Sequence, residues 1–257
     1  MPSRPDIASD SRADRLRVLR SLTPLAAFAV LAVFSAGAAT AAPGGSGRVG
    51  VQHTQTLAIL LGPHTAMSEP DGGSTTLELV RARRPITEEQ TVLPVVGYAS
   101  DAAGVEWLHV LLPGRPNGHS GWIKRRATRS TITGWHIVVD TSSRRVTVYQ
   151  QGRKIRTFRA IVGTPATPTP AGEFFVEEVI RLRAGDVGAP FALALSARSN
   201  VLQEFAGGPG QIALHGLRNV GGVLGSAVSH GCVRLANDAM RWLNVRIGPG
   251  IPVTIRS

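Results

Sequence analysis

The 257 residues have room for one or two folded domains once any processed segment is set aside. Hydrophobic residues make up 43% and aromatic residues 5%, while 29 glycines and 17 prolines require many turns between short strands, so a mainly β chain is expected. The formal charge of +11 rests almost wholly on arginine and favours polyanionic partners, yet the basic residues are scattered and no zinc-finger or recognition-helix pattern occurs, which argues against nucleic acid.

Residues 1–42 read as an export signal or membrane anchor. Arg15, Arg17 and Arg20 precede an apolar stretch from Leu25 to Phe34, alanines crowd positions 36–42, and Ala39-Thr40-Ala41 offers a small-residue cleavage site. The apolar run is shorter than the ~20 residues a spanning helix needs. Loss of this segment removes five arginines and three aspartates, leaving +11 − 2 = +9. A Gly/Pro/Ser-rich junction (Pro43 to Gly47) then leads into a first folded segment, 48–128. In it Thr91 to Val96 is β-prone, Glu106 to Leu112 alternates two apolar faces through Trp107 and Leu108, and Asn117-Gly118 marks a tight turn before Gly121, Trp122 and Ile123. A small barrel is expected. A second segment, 134–257, opens with a meander: His136 to Asp140 and Arg145 to Gln150 are strands joined at Ser142-Ser143, and Gln151-Gly152 turns into another. The proline-rich stretch from Gly163 to Phe174 interrupts regular pairing. Asn237 is placed to cap a short helix carrying Ala239, Met240, Trp242 and Leu243, which Gly248-Pro249-Gly250 ends before a last strand, Ile251 to Ile255.

Cys232 is the only cysteine, so no internal disulfide forms and the usual reason for cysteine in an exported chain is missing. It sits in Ser229-His230-Gly231-Cys232-Val233-Arg234, and His215-Gly216 lies 232 − 215 = 17 residues upstream across a glycine-containing stretch. A thiol of pKa ~8.5 is largely protonated at neutral pH, so a nucleophilic cysteine needs a base or a positive field nearby. Either histidine could serve by spacing alone: His215 by a loop that returns, His230 because in extended backbone it projects on the same side as the sulfur. Gly231 allows a sharp turn that exposes successive amides, its own and that of Cys232, toward an oxyanion.

Trp107 to Leu112, Pro113 to Gly118 and Gly121 to Ile123 resemble bacterial SH3-like domains, which implies a spacer or wall-targeting role for 48–128. More specifically, His-Gly, a glycine-containing loop and Ser-His-Gly-Cys, together with Ile137 to Asp140, Val146 to Tyr149, Gly152, Val162-Gly163 and Thr169-Pro170-Ala171-Gly172-Glu173-Phe174, resemble the L,D-transpeptidase family over about 120 residues. The fold so implied is an L,D-transpeptidase-type β-sandwich or barrel with a short C-terminal helix, behind a small SH3-like barrel. The resemblance implies Cys232 as nucleophile, His215 as its base and the Gly216 carbonyl as the group that orients the imidazole. It places His230 and Gly231 with Cys232 in the oxyanion loop, and gives Ser229 and Arg234 the tasks of fixing that loop or binding a substrate carboxylate. The implied reaction is cross-linking of peptidoglycan stem peptides through a Cys232 thioester with release of D-alanine, under a flap to which Arg181 to Pro190 are candidate contributors. It needs no metal or organic cofactor. Water as acceptor would give L,D-carboxypeptidase activity. Carbapenem-type β-lactams are implied covalent inhibitors, anionic cell-wall polymers are implied partners, and the location is the periplasm or cell wall, secreted or anchored. A zinc hydrolase lacks its helical histidine pattern and a nearby acidic base here, a sortase-like enzyme spaces His and Cys more widely, and a non-catalytic wall-binding protein is the remaining alternative.

Overall fold

The structure, a computed structural model, describes residues 51–204 and 208–257. The expected export signal lies outside the described residues. Seven strands, β1 (Gln55–Leu60), β2 (His64–Met67), β3 (Thr76–Val80), β4 (Val92–Ser100), β5 (Glu106–Leu111), β6 (Ser120–Lys124) and β7 (Thr128–Thr133), form one sheet in the order β3-β2-β6-β5-β4-β1-β7. The chain then builds β8 (Trp135–Asp140), β9 (Arg145–Gln150), β10 (Arg153–Arg159), β11 (Val162–Gly163), β12 (Gly172–Arg181), β13 (Phe191–Arg198), β14 (Gln211–His215), β15 (Ala227–Ser229), β16 (Val233–Arg234), helix α1 (Asn237–Asn244) and β17 (Pro252–Arg256). Eight of these strands make a second sheet, β10-β9-β8-β17-β12-β13-β14-β16, and β11 pairs with β15 in parallel. The molecule is mainly β, as the turn-rich composition implies.

Local chemistry accounts for the meander. Asp140 Oδ1 accepts from Ser142 Oγ and the Ser143 amide, both at 2.8 Å, closing the β8–β9 turn. Gln151 and Gly152 both have positive φ, 50° and 72°, as a two-residue turn matched to strand twist requires. Asn117-Gly118 behaves differently from the tight turn expected. Leu112 N donates to His119 O at 3.0 Å, so the β5–β6 connection is a six-residue loop. Pro113 and Pro116 bring no N–H to a tighter closure, and the Asn117 side chain is engaged elsewhere. Nor does Asn237 cap α1. The cap is Ala236, which makes no side-chain cap bond, while Asn237 Oδ1 accepts from the Leu217 amide at 2.9 Å. A tertiary amide donor has taken the oxygen that a cap would have used.

β12 is buried on both faces. Phe174 and Val176 enter the core of the second sheet with Leu193, Leu195, Met240 and Leu243, whereas Phe175 joins Leu60, Leu93, Val110 and Ile123 in the core of the first. Strict alternation would then push Glu178 into the apolar core. A bulge between Val176 and Glu178 prevents this. Glu178 Oε2 instead accepts from the Ile86 and Thr87 amides (3.2 and 2.9 Å) and from Thr87 Oγ1 (3.0 Å). Glu177, 1% exposed, forms ion pairs with Arg84 and with Arg198 Nη1, the latter at 2.9 Å. Both cores thus draw on β12, a buried ionic cluster joins them, and the described residues form one compact unit.

Candidate active site

β14 runs through Ile212 and Leu214, both buried, and ends at His215. β16 pairs with it in parallel, Leu214 opposite Val233 and His215 opposite Arg234. That register returns the chain so that Cys232, immediately before β16, comes back beside the strand that carries His215. Cys232, His215, His230 and Arg234 line one cavity of about 90 Å³ with Ser199 and Leu202. The four sequence-predicted side chains most directly concerned with chemistry therefore meet in one place.

The imidazole of His215 is held on two sides. Its Nδ1 lies 2.8 Å from the Gly216 carbonyl oxygen; a carbonyl only accepts, so Nδ1 carries the proton and Nε2 is the basic nitrogen. Gly188 packs against the ring so closely that a Cβ there would stand 2.5 Å from Nδ1. Gly216 is equally constrained: its amide donates to Gly188 O at 2.7 Å, and a Cβ would lie 2.1 Å from Ala189 O and 2.7 Å from Asn237 Oδ1. Gly188 and Ala189 belong to the β12–β13 connection, so part of the segment considered for a flap is a wall against the imidazole.

The cysteine loop is fixed from beneath. Ser229, 0% exposed, donates from Oγ to Cys232 O at 2.6 Å and accepts from Gly231 N at 3.2 Å. Thr169 Oγ1 donates to Gly231 O at 2.8 Å and accepts from Gly163 N at 2.9 Å. Ser229 is thereby buried with its hydroxyl spent on bonds within the loop. The Gly231 N–H, expected to face an oxyanion, is bonded to Ser229 Oγ in the structure. Gly231 remains necessary for its φ of +118° and because a Cβ would stand 2.9 Å from Ile212 Cδ1. His230 is exposed at the cavity rim. Arg234 donates from Nη1 to Gly221 O at 3.0 Å, while its buried Nε has no hydrogen-bond partner among the described residues.

Burial pushes the Cys232 thiol up from its ordinary value, against the opposing pull of a hydrogen bond to the Ala213 backbone and of the Arg234 charge. Burial lowers the His215 imidazole; its bond to Gly216 works the other way and the Arg234 charge adds to the lowering. Both shifts favour the neutral forms, a thiol and an imidazole, and a neutral imidazole is the state that can take a proton. Among the described residues no three His, Cys, Asp or Glu side chains converge as a metal site would require.

A half-buried thiol and an imidazole whose Nδ1 is engaged by Gly216 O share one cavity at the end of paired strands, an arrangement that can support cysteine-based nucleophilic chemistry. Residues 134–255 match the family model of the YkuD-type L,D-transpeptidase catalytic domain. The YkuD protein of Bacillus subtilis (strain 168), provisionally named as an L,D-transpeptidase, is 31% identical over 121 residues, covering 47% of this chain and 65% of its own. L,D-transpeptidase 1 of Mycobacterium tuberculosis is 27% identical over 130 residues, covering 46% of this chain and 49% of its own. This chain thus spans about half to two thirds of the curated relatives it matches. Among solved structures, L,D-transpeptidase 3 of Mycobacterium tuberculosis with a faropenem-derived adduct aligns over 65% of this chain and 91% of its own, at 16% identity and a TM-score of 0.43.

Asn237 is the site residue that sequence reasoning missed. Its oxygen anchors Leu217, next to the Gly216 whose carbonyl orients the base.

Proposed function

We propose that the protein is a peptidoglycan L,D-transpeptidase acting through a Cys232 thioester. The observation that carries this reading is the His215 Nδ1 bond to Gly216 O, which leaves Nε2 as the proton acceptor in the cavity shared with Cys232. Nε2 takes the thiol proton as sulfur attacks the stem-peptide carbonyl; the Cys232 amide, with His230 at the rim, receives the oxyanion. Imidazolium then returns the proton to the departing D-alanine amine. An amine of a second stem attacks the thioester, His215 takes its proton, and the thiolate leaves and is reprotonated. Arg234, which lines the cavity, binds the donor carboxylate. Residues 1–42 direct export to the periplasm or cell wall, with release or anchoring, 48–128 form an SH3-like domain ahead of the catalytic domain at 134–257, and the net positive charge of the chain suits anionic wall polymers. Among the described residues no helix is long and apolar enough to cross a membrane.

Mass spectrometry of tetrapeptide muropeptides incubated with the protein tests the reading. Loss of D-alanine with new dimers is expected; tripeptide without dimers would instead identify a carboxypeptidase, and unchanged substrate would remove the proposal. A carbapenem is expected to add its full mass to the protein and nothing to Cys232→Ala, as read by intact mass. An adduct on both would place acylation elsewhere.

The lowered imidazole sets the pH dependence. Because His215 must be neutral to act, and its pKa lies below the ordinary value of ~6.5, kcat/KM for acylation should hold as pH falls through 6.5 and decline only in more acid solution. An acid limb centred above 6.5 would contradict His215 as the base.

A further inference from the structure

One wall of the Cys232 cavity is built by the chain that leaves β13 and enters β14, and its main chain is gripped from the other sheet. Asn117, in the β5–β6 loop, makes a two-way amide pairing with Arg198: Nδ2 donates to Arg198 O at 2.7 Å and Oδ1 accepts from Arg198 N at 2.8 Å. The same Nδ2 reaches Asn200 Oδ1 at 2.9 Å. Arg115, two residues earlier, spreads its guanidinium over three carbonyls, with Nη2 to Ser199 O (2.9 Å) and Leu202 O (3.2 Å) and Nη1 to Pro209 O (3.0 Å). Gly114 N adds a bond to Ser196 O at 3.1 Å. Within the wall, Ser199 N donates to Gly210 O at 2.8 Å, and Gly210, at φ +65°, approaches so closely that a Cβ would stand 2.0 Å from Leu202 O. Ser199, Leu202, Gly210 and Gln211 all line the cavity that holds Cys232 and His215.

The nucleophile and base do not depend on this grip. His215 is held by Gly216 and the β14–β16 register, and Cys232 by Ser229 and Thr169. The wall has internal bonds from Ser199 N to Gly210 O and from the Val201 and Leu202 amides to Ser199 Oγ, but three of its carbonyls are satisfied by a side chain from the first sheet. A planar guanidinium can span several oxygens at once, which an ammonium cannot.

We infer that Arg115 and Asn117 are positioning residues for substrate binding: the amino-terminal sheet shapes the wall against which the donor peptide lies. This rests on the acyl-transfer reading of the cavity. It gives 48–128 a task at the chemistry itself, in addition to any contact with the wall.

The test compares the full chain with an Arg115→Ala/Asn117→Ala double variant by three measurements. Hydrogen exchange of the segments around 199–204 and 208–211 should quicken by about tenfold in the variant, with 212–215 and 233–235 unchanged. KM for a tetrapeptide stem should rise about tenfold with kcat within about threefold, and the alkylation rate of Cys232 by iodoacetamide should stay the same. Arg115→Lys should recover only part of the KM. Unchanged exchange and KM would overturn the inference, as would exchange that quickens throughout both sheets. If the unmodified chain does not turn over the stem peptide, the proposed reaction fails, while unchanged or quickened exchange in the wall still decides the clamp.

Discussion

Cys232→Ala is expected to lower acyl transfer by about 10⁴-fold or more while leaving the fold in place. The loss is large because covalent catalysis has no substitute once the sulfur is gone, and groups acting as one unit fail together. His215→Ala should cost less, about 10²- to 10⁴-fold, since proton transfer can pass partly to water. The double variant should be no worse than Cys232→Ala alone. Stability is a separate matter. The loop that presents the sulfur is held by Ser229 Oγ on the Cys232 carbonyl and Thr169 Oγ1 on the Gly231 carbonyl, bonds that alanine keeps. The sulfur's polar contacts are to backbone only, the Ala213 backbone and, at 4.0 Å, Gln211 O. A melting temperature within about 3 °C of the parent is expected. Residual turnover near the parent rate would end the mechanism; a collapsed melting curve would show that the thiol is a packing element.

Glu177→Ala should be the most destabilising single change in the molecule away from the active site. Its side chain is wholly buried and lies between Arg84 and Arg198, themselves 12% and 10% exposed. Removal of the carboxylate strands two guanidinium groups in a place where water cannot solvate them. Breaking a buried pair by deleting one partner costs about 3–5 kcal/mol, which for a unit of this size lowers the melting temperature by roughly 6–20 °C. Replacing Arg84, Glu177 and Arg198 together by apolar residues should recover much of the loss, because desolvation then disappears with the charges. Thermal unfolding followed by circular dichroism reads both variants. A shift of less than about 3 °C for Glu177→Ala would mean that the cluster is hydrated and contributes little.

Much of this architecture is legible in the chain. Arg145 to Gln150 is the strand that its alternation indicates, Gln151-Gly152 turns where an αL-tolerant pair must, and the last strand follows the Gly248-Pro249-Gly250 break. These features depend on neighbours within a few residues, where periodicity and turn chemistry act. The adjacent glutamates inside Phe174-Phe175-Val176-Glu177-Glu178-Val179 were also a visible signal: two carboxylates in an apolar strand need partners. Their partners, Arg84 and Thr87, lie about ninety positions earlier in the connection between β3 and β4, and no local pattern names them.

The sequence by itself singled out the candidate reactive groups: a lone thiol, the His215-Gly216 pair and the glycine turn before Cys232, because residue chemistry and short spacing set what can react. Tertiary structure alone decided how each group is used. It turned the Gly231 amide inward to Ser229, set Asn237 to hold Leu217 in place of capping its helix, and brought Arg115 and Asn117 across 94 and 81 residues to the cavity wall. A polar group bonds to whatever complementary atom the packed sheets place within reach, and that choice is made only when distant strands meet.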